Sequence, residues 1–125
     1  MIYTIILIIF LGADSAPESY LWVWSADSCP WCTVQDNVLQ KWFALKPMLD
    51  GHAIKYYKRD FEQNRELARK WKVNAFPTIF VVIKGKVVYT IDGRDRFIGL
   101  TNIDRIESTF AKYGKLTKSA TGRTD

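Results

Sequence analysis

The feature that most constrains this chain is a switch from strand-like to helical patterning around one polar break. Tyr20-Leu21-Trp22-Val23-Trp24 is a nearly continuous apolar run, as expected of a strand buried on both faces. Ser25-Ala26-Asp27-Ser28 then supplies turn and N-cap residues. From Pro30 onward, Val34, Val38, Leu39, Trp42, Phe43 and Leu45 recur at spacings of three or four, which predicts a long helix with one buried face. Pro47 kinks or ends that helix, and Asp50-Gly51 closes the segment.

The same reading carries down the chain. Residues 53–58 form a second predicted strand, and 61–71 a helix whose Leu67, Ala68 and Trp71 face inward. After a loop at 73–77, residues 78–83 and 87–91 read as two strands joined by Lys84-Gly85-Lys86, a hairpin signal. Asp92-Gly93 turns again, and Ile103, Ile106 and Phe110 mark a last amphipathic helix. Residues 116–125 are polar and expected to fray. The order β-α-β-α-β-β-α implies a parallel pairing with a right-handed crossover, and chemistry at the C-terminal ends of the strands.

A chain of 125 residues accommodates one domain. It is long enough to bury a core without staples, so its two cysteines serve chemistry better than stability. The net charge of +5 comes from scattered basic residues, read as a solvated helix face and loop rim rather than a nucleic-acid surface. Trp22, Trp24, Trp42 and Trp71 suit buried faces, Asp92 and Asp95 suit turns, and Glu107 suits a solvated helix face.

Residues 2–11 carry no charge. They are too few to span a bilayer as a helix but match the core of a secretory signal. The missing basic residue ahead of them, and Pro17 after the small-residue cut at Ala16, argue against a signal. The alternative is a first strand, which β-branched composition favours but the short connection to Tyr20 opposes. The reading leans to export or membrane tethering, with a cytoplasmic strand as the alternative. Residues 1–17 are accordingly set apart as an N-terminal segment, 18–114 as the folded domain and 115–125 as a polar tail.

Cys29-Pro30-Trp31-Cys32 falls between the first strand and its helix. Two thiols three positions apart on a first helical turn can bond without moving the backbone. Cys29, at the helix N-terminus, is favoured as thiolate by the unpaired N–H groups there and is expected to attack a substrate disulfide. Cys32, one turn in, is expected to resolve the mixed disulfide. Pro30 suits the first helical position, and Trp31 an apolar rim that receives substrate. A zinc site would need two more ligands, and His52 is the one histidine, beside a glycine turn. No Ser-His-Asp set, phosphate loop or nucleotide fingerprint is present.

With Ala75-Phe76-Pro77-Thr78 and the Lys84-Gly85 hairpin downstream, residues 19–113 resemble the thioredoxin superfamily. The resemblance implies a thioredoxin-like α/β fold: a central mixed sheet of four or five strands flanked by helices, with a cis-proline loop at Pro77 facing the two cysteines. Read without the family, Pro77 is a loop proline that starts an edge strand. Phe76 would shape the substrate groove or pack in the core. Gly93 matches a family glycine that leaves room for a substrate chain, and Lys58 a family lysine near a buried acid. That acid would stand at Val23, so it is missing from its usual place. The intervening Pro-Trp also differs from the family's usual Gly-Pro, which leaves the direction of electron flow open. The implied function is a thiol–disulfide oxidoreductase acting on protein disulfides, a reductase by preference. It would work as a monomer with an upstream reductase, using its redox-active disulfide and no other cofactor or metal. Glutaredoxin-like or disulfide-donor activity, and a non-catalytic partner subunit, are the alternatives.

Overall fold

The computed structural model describes residues 18–119. The segment 2–11, with its two competing readings, lies outside the described residues. In chain order the elements are β1 (Tyr20–Ser25), α1 (Pro30–Phe43), β2 (Met48–Leu49), β3 (His52–Ala53), β4 (Lys55–Asp60), a 3-10 turn (Phe61–Gln63), α2 (Arg65–Lys70), β5 (Thr78–Ile83), β6 (Lys86–Val87), β7 (Phe97–Ile98), α3 (Ile103–Tyr113) and β8 (Leu116–Thr117).

β1 is central, parallel to β4 with Tyr20 opposite Lys55 and antiparallel to β5 with Trp24 opposite Thr78. Side chains alternate across a strand, so β1 and β5 feed two cores. Leu21, Val23, Ile79 and Val81 point to one face, where Leu39 and Trp42 of α1 and Ile106 and Phe110 of α3 cover them. Trp24 and Phe80 point to the other, against Ala68 and Val73, with Trp22 and Trp71 packed alongside. Trp22 meets both Trp71 and Phe80 at ring-centroid distances of 5.2 Å. Each fully buried large side chain here contributes roughly 1.5–3 kcal/mol through lost water contact.

Several boundaries differ from expectation. The second strand divides: β3 turns back on β2 through Asp50 and Gly51, both at positive φ, and β4 then runs on to Asp60 because β1 offers a partner as far as Ser25. The helix expected over 61–71 breaks at Asn64, whose φ of −140° is not helical. Val34 is 40% exposed rather than buried, since α1 turns Gln35 and Leu39 into the core instead. Leu116 and Thr117 do not fray. They pair with β2, and Asp50 brackets the junction by donating its N–H to Lys115 O and accepting the Lys115 N–H, both at 2.8 Å.

The expected strand over 87–91 stops early. Val87 pairs with Val82, and an unbroken strand would then set Ile91 opposite Thr78; Ile98 stands there instead, seven residues later. The excursion between β6 and β7 is tied down on α3, where Ile91 N–H donates to Thr109 Oγ1 at 2.9 Å and Tyr113 OH to Tyr89 O at 2.9 Å. Among the described residues, no helix is long and apolar enough to cross a membrane.

Candidate active site

Cys29 is the N-cap of α1, extended at φ −116°, with Pro30 in the first turn where its missing N–H costs nothing. A disulfide joins Cys29 and Cys32, their Cα atoms 5.2 Å apart. Cys32 N–H donates both to Cys29 O and to Cys29 Sγ, each at 3.1 Å, so the first turn of the helix closes around the sulfur pair. Cys29 is half-exposed and Cys32 buried. Trp31, between them, is 60% exposed, and Val34 follows it three positions on in the same helix.

The disulfide borders an open groove of about 730 Å³ between the first turns of α1 and the C-terminal ends of β1 and β4. Asp36, Lys58 and Asp60 line it with both cysteines. Lys58 Nζ lies 3.9 Å from Asp36 Oδ1, and the Tyr56 hydroxyl donates to the same oxygen. Burial, followed by this bond to Asp36, pushes the Tyr56 hydroxyl well above the ordinary tyrosine range. Val23 is 3% exposed in the apolar core, so β1 supplies no acid beneath the cysteines. Lys58, expected beside an acid missing from β1, pairs instead with an acid of α1. Sequence reasoning missed Asp36 and Tyr56. The signal for Asp36 was its place four residues after Cys32, on the same face of a predicted helix.

Phe76-Pro77 is a cis peptide. Pro77 is buried and stands one residue beyond the Thr78–Trp24 pair, beside the end of β1 from which the cysteine turn departs. Phe76 is half-buried, its ring 5.1 Å from that of Phe61, so it belongs to the second core cluster.

Gly93 makes no hydrogen bond to Pro77. It sits in the excursion between β6 and β7, its N–H bonded to Thr90 O at 2.9 Å. Gly99 does make that bond: after β7 returns to pair with Thr78, Gly99 N–H donates to Pro77 O at 2.8 Å. The seven-residue excursion that sets Ile98, not Ile91, opposite Thr78 is what brings Gly99 against Pro77.

A mixed sheet flanked by helices, with a disulfide at the mouth of a βα crossover and a cis-proline strand beside it, defines a thiol–disulfide exchange protein of thioredoxin fold. The thioredoxin family model matches residues 16–104, and the chain belongs to that family. No curated protein matches the sequence. Among solved structures, thioredoxin-2 of a malaria parasite superimposes with a TM-score of 0.64 at 22% identity, covering 78% of this chain and 84% of that one. Chloroplastic thioredoxin z gives 0.61 at 18% identity, covering 83% and 85%. The reduced thioredoxin pre-protein of Schistosoma mansoni gives 0.59 at 19%, covering 85% and 89%. These likenesses show the thioredoxin fold. The family and the cysteine pair together make the chain a thiol–disulfide oxidoreductase whose redox group is its own disulfide.

Proposed function

We propose that this oxidoreductase reduces disulfides in protein substrates. Cys29 is the attacking thiolate and Cys32 the resolving thiol, and an upstream reductase restores the dithiol. The observation that carries the reading is the asymmetry of the pair: Cys29 is half-exposed at a helix N-terminus, while Cys32 is buried one turn behind it. An exposed thiolate meets substrate, and a buried thiol close behind it limits the life of the mixed disulfide. The exposed Trp31 and the Pro77–Gly99 edge flank this pair and suit an extended substrate segment. The uncharged segment 2–11 supports an exported or membrane-tethered site of action.

The test is insulin reduction driven by dithiothreitol. Acceleration by the wild type, loss in Cys29→Ser, and a trapped mixed disulfide in Cys32→Ser are expected. A double serine variant that retains full biological function would instead make the chain a partner subunit. Titration against glutathione decides direction: a potential near about −270 mV fits a reductase, whereas one near about −120 mV makes the protein a disulfide donor.

A further inference from the structure

A carboxylate stands one helical turn beyond the buried sulfur. Asp36 follows Cys32 by four positions in α1, so both side chains rise from one helix face, and both line the groove beside the disulfide. Asp36 Oδ1 is held from β4 by the Tyr56 hydroxyl and by Lys58 Nζ at 3.9 Å. Asp36 Oδ2 has no hydrogen-bond partner among the described residues. The Asp36 side chain is only 29% exposed, and the groove in front of it is open to water.

The other charged groups around this groove are Asp60 of β4 and Asp27 of the turn before α1, with Glu62 beside them. Oxygens of these three acids lie within 4.8 Å of one another. Asp27 N–H donates to both Glu62 oxygens, at 3.1 and 3.2 Å, so that cluster is organised around its own turn. Asp36 alone among these acids shares a helix with Cys32.

We propose that Asp36 is the proton acceptor for Cys32 in the second half of the exchange. The inference rests on the oxidoreductase reading above. In the first half, Cys29 thiolate attacks one sulfur of the substrate disulfide and expels the other as a thiolate. In the second, Cys32 Sγ attacks Cys29 Sγ, the Cys29–substrate S–S bond breaks, and the substrate's remaining sulfur departs as a thiolate. The Cys32 proton passes to Asp36 Oδ2, directly or through one groove water, as the new S–S bond forms. Two electrons move from the cysteine pair to the substrate disulfide, and the proton on Asp36 is then released to water or to the departing thiolate. Tyr56 and Lys58 hold Oδ1, which leaves Oδ2 as the oxygen free to take the proton.

The probe is dithiobis-nitrobenzoate, mixed with the reduced full chain in stopped flow. Cys29 attack releases its first coloured thiolate and Cys32 attack the second. With Asp36 in place, the second phase should be nearly independent of pH between about pH 6 and 8, where a carboxylate is ionised and a thiol is not. Asp36→Asn should slow the second phase at least about tenfold relative to the first and make it rise about tenfold per pH unit, as hydroxide takes over. Asp36→Glu should restore most of the ratio. A wild-type second phase that already rises about tenfold per pH unit overturns the proposal, even where the Asn variant does not fold. So does an unchanged ratio in Asp36→Asn, or a fall confined to Asp60→Asn. Absence of any first phase would defeat the oxidoreductase reading instead.

Discussion

Gln35 and Thr101 exchange two hydrogen bonds in the core: Gln35 Nε2 donates to Thr101 O at 3.0 Å, and Thr101 N–H donates to Gln35 Oε1 at 2.7 Å. Gln35 is wholly buried and lies three residues after Cys32, so this pair fixes the redox helix to the segment that follows β7. Thr101 Oγ1 in turn donates to Gly99 O at 3.2 Å, and Gly99 N–H to Pro77 O at 2.8 Å. A continuous run of hydrogen bonds thus links the turn carrying the cysteines to the proline edge beside it.

Replacing Gln35 with Leu tests that frame. The apolar side chain would leave the Thr101 N–H and C=O buried without partners, and each such group costs about 1–3 kcal/mol. The expected loss is about 2–4 kcal/mol in a urea melt at constant m-value, because some relaxation of the Thr101 segment recovers part of the penalty. A change below about 1 kcal/mol would mean that water reaches Thr101 and the frame is not rigid.

Glu107, assigned from the sequence to a solvated helix face, instead joins three segments. It accepts from Trp42 Nε1 at 2.7 Å and faces Lys118 Nζ at 2.6 Å. Trp42 is 3% exposed, so Glu107→Ala should leave its N–H without its acceptor and cost about 1–2 kcal/mol. Lys118 is over a third exposed, and solvent screening holds Lys118→Ala to less than about 0.5 kcal/mol. Equal losses in the two variants, measured by thermal melting, would show that the ion pair rather than the indole bond carries the contact.

What the sequence made legible is what local patterning encodes. The strand–turn–cysteine–helix unit, the Lys84-Gly85 turn at φ 50° and 84°, and the strand over Thr78–Ile83 follow from runs of a few neighbouring residues. Asp36, Tyr56 and Gln35 did not stand out. Their meaning lies in contacts 20 and 66 positions away, and a polar residue on a helix looks solvated until the partner that buries it is known. β8 was invisible because two residues have no period, and it forms only where Asp50 and Lys115 meet. The excursion before β7 was invisible for a different reason: Val88, Tyr89, Thr90 and Ile91 are apolar and β-branched enough to prolong a strand, yet only Val88 still bonds to β5, while Tyr89 and Ile91 bond to α3 and Thr90 N–H to Arg94 O.

Tyr56 gives a pH signature. Its hydroxyl titrates above the ordinary tyrosine value in the folded chain, first through burial and then through its bond to Asp36. The raised value means that its stabilising effect is complete below the unfolded value near about 10 and is lost as pH climbs from there towards the folded value. The melting temperature of the wild type should therefore fall more steeply above about pH 10 than that of Tyr56→Phe, the two running parallel at neutral pH. Parallel curves through the alkaline range would show that the hydroxyl is solvated.

Gly99 gives the most direct test of the site's outline. Gly93 and Gly99 share nearly the same left-handed backbone, with φ of 82° and 84°, and neither has an atom within 4 Å of where a Cβ would stand. Alanine at either position should therefore cost a similar amount, about 1–2 kcal/mol, from backbone strain alone. Only Gly99 is bonded to Pro77, so only there does the new methyl group enter the edge an extended substrate would use. Gly99→Ala should slow reduction of insulin severalfold while leaving attack on dithiobis-nitrobenzoate, which needs no strand-like docking, near the wild-type rate. Gly93→Ala should leave both rates unchanged despite its similar loss of stability. If instead Gly93→Ala impairs insulin reduction and Gly99→Ala does not, the excursion between β6 and β7, rather than the Pro77 edge, receives the protein substrate.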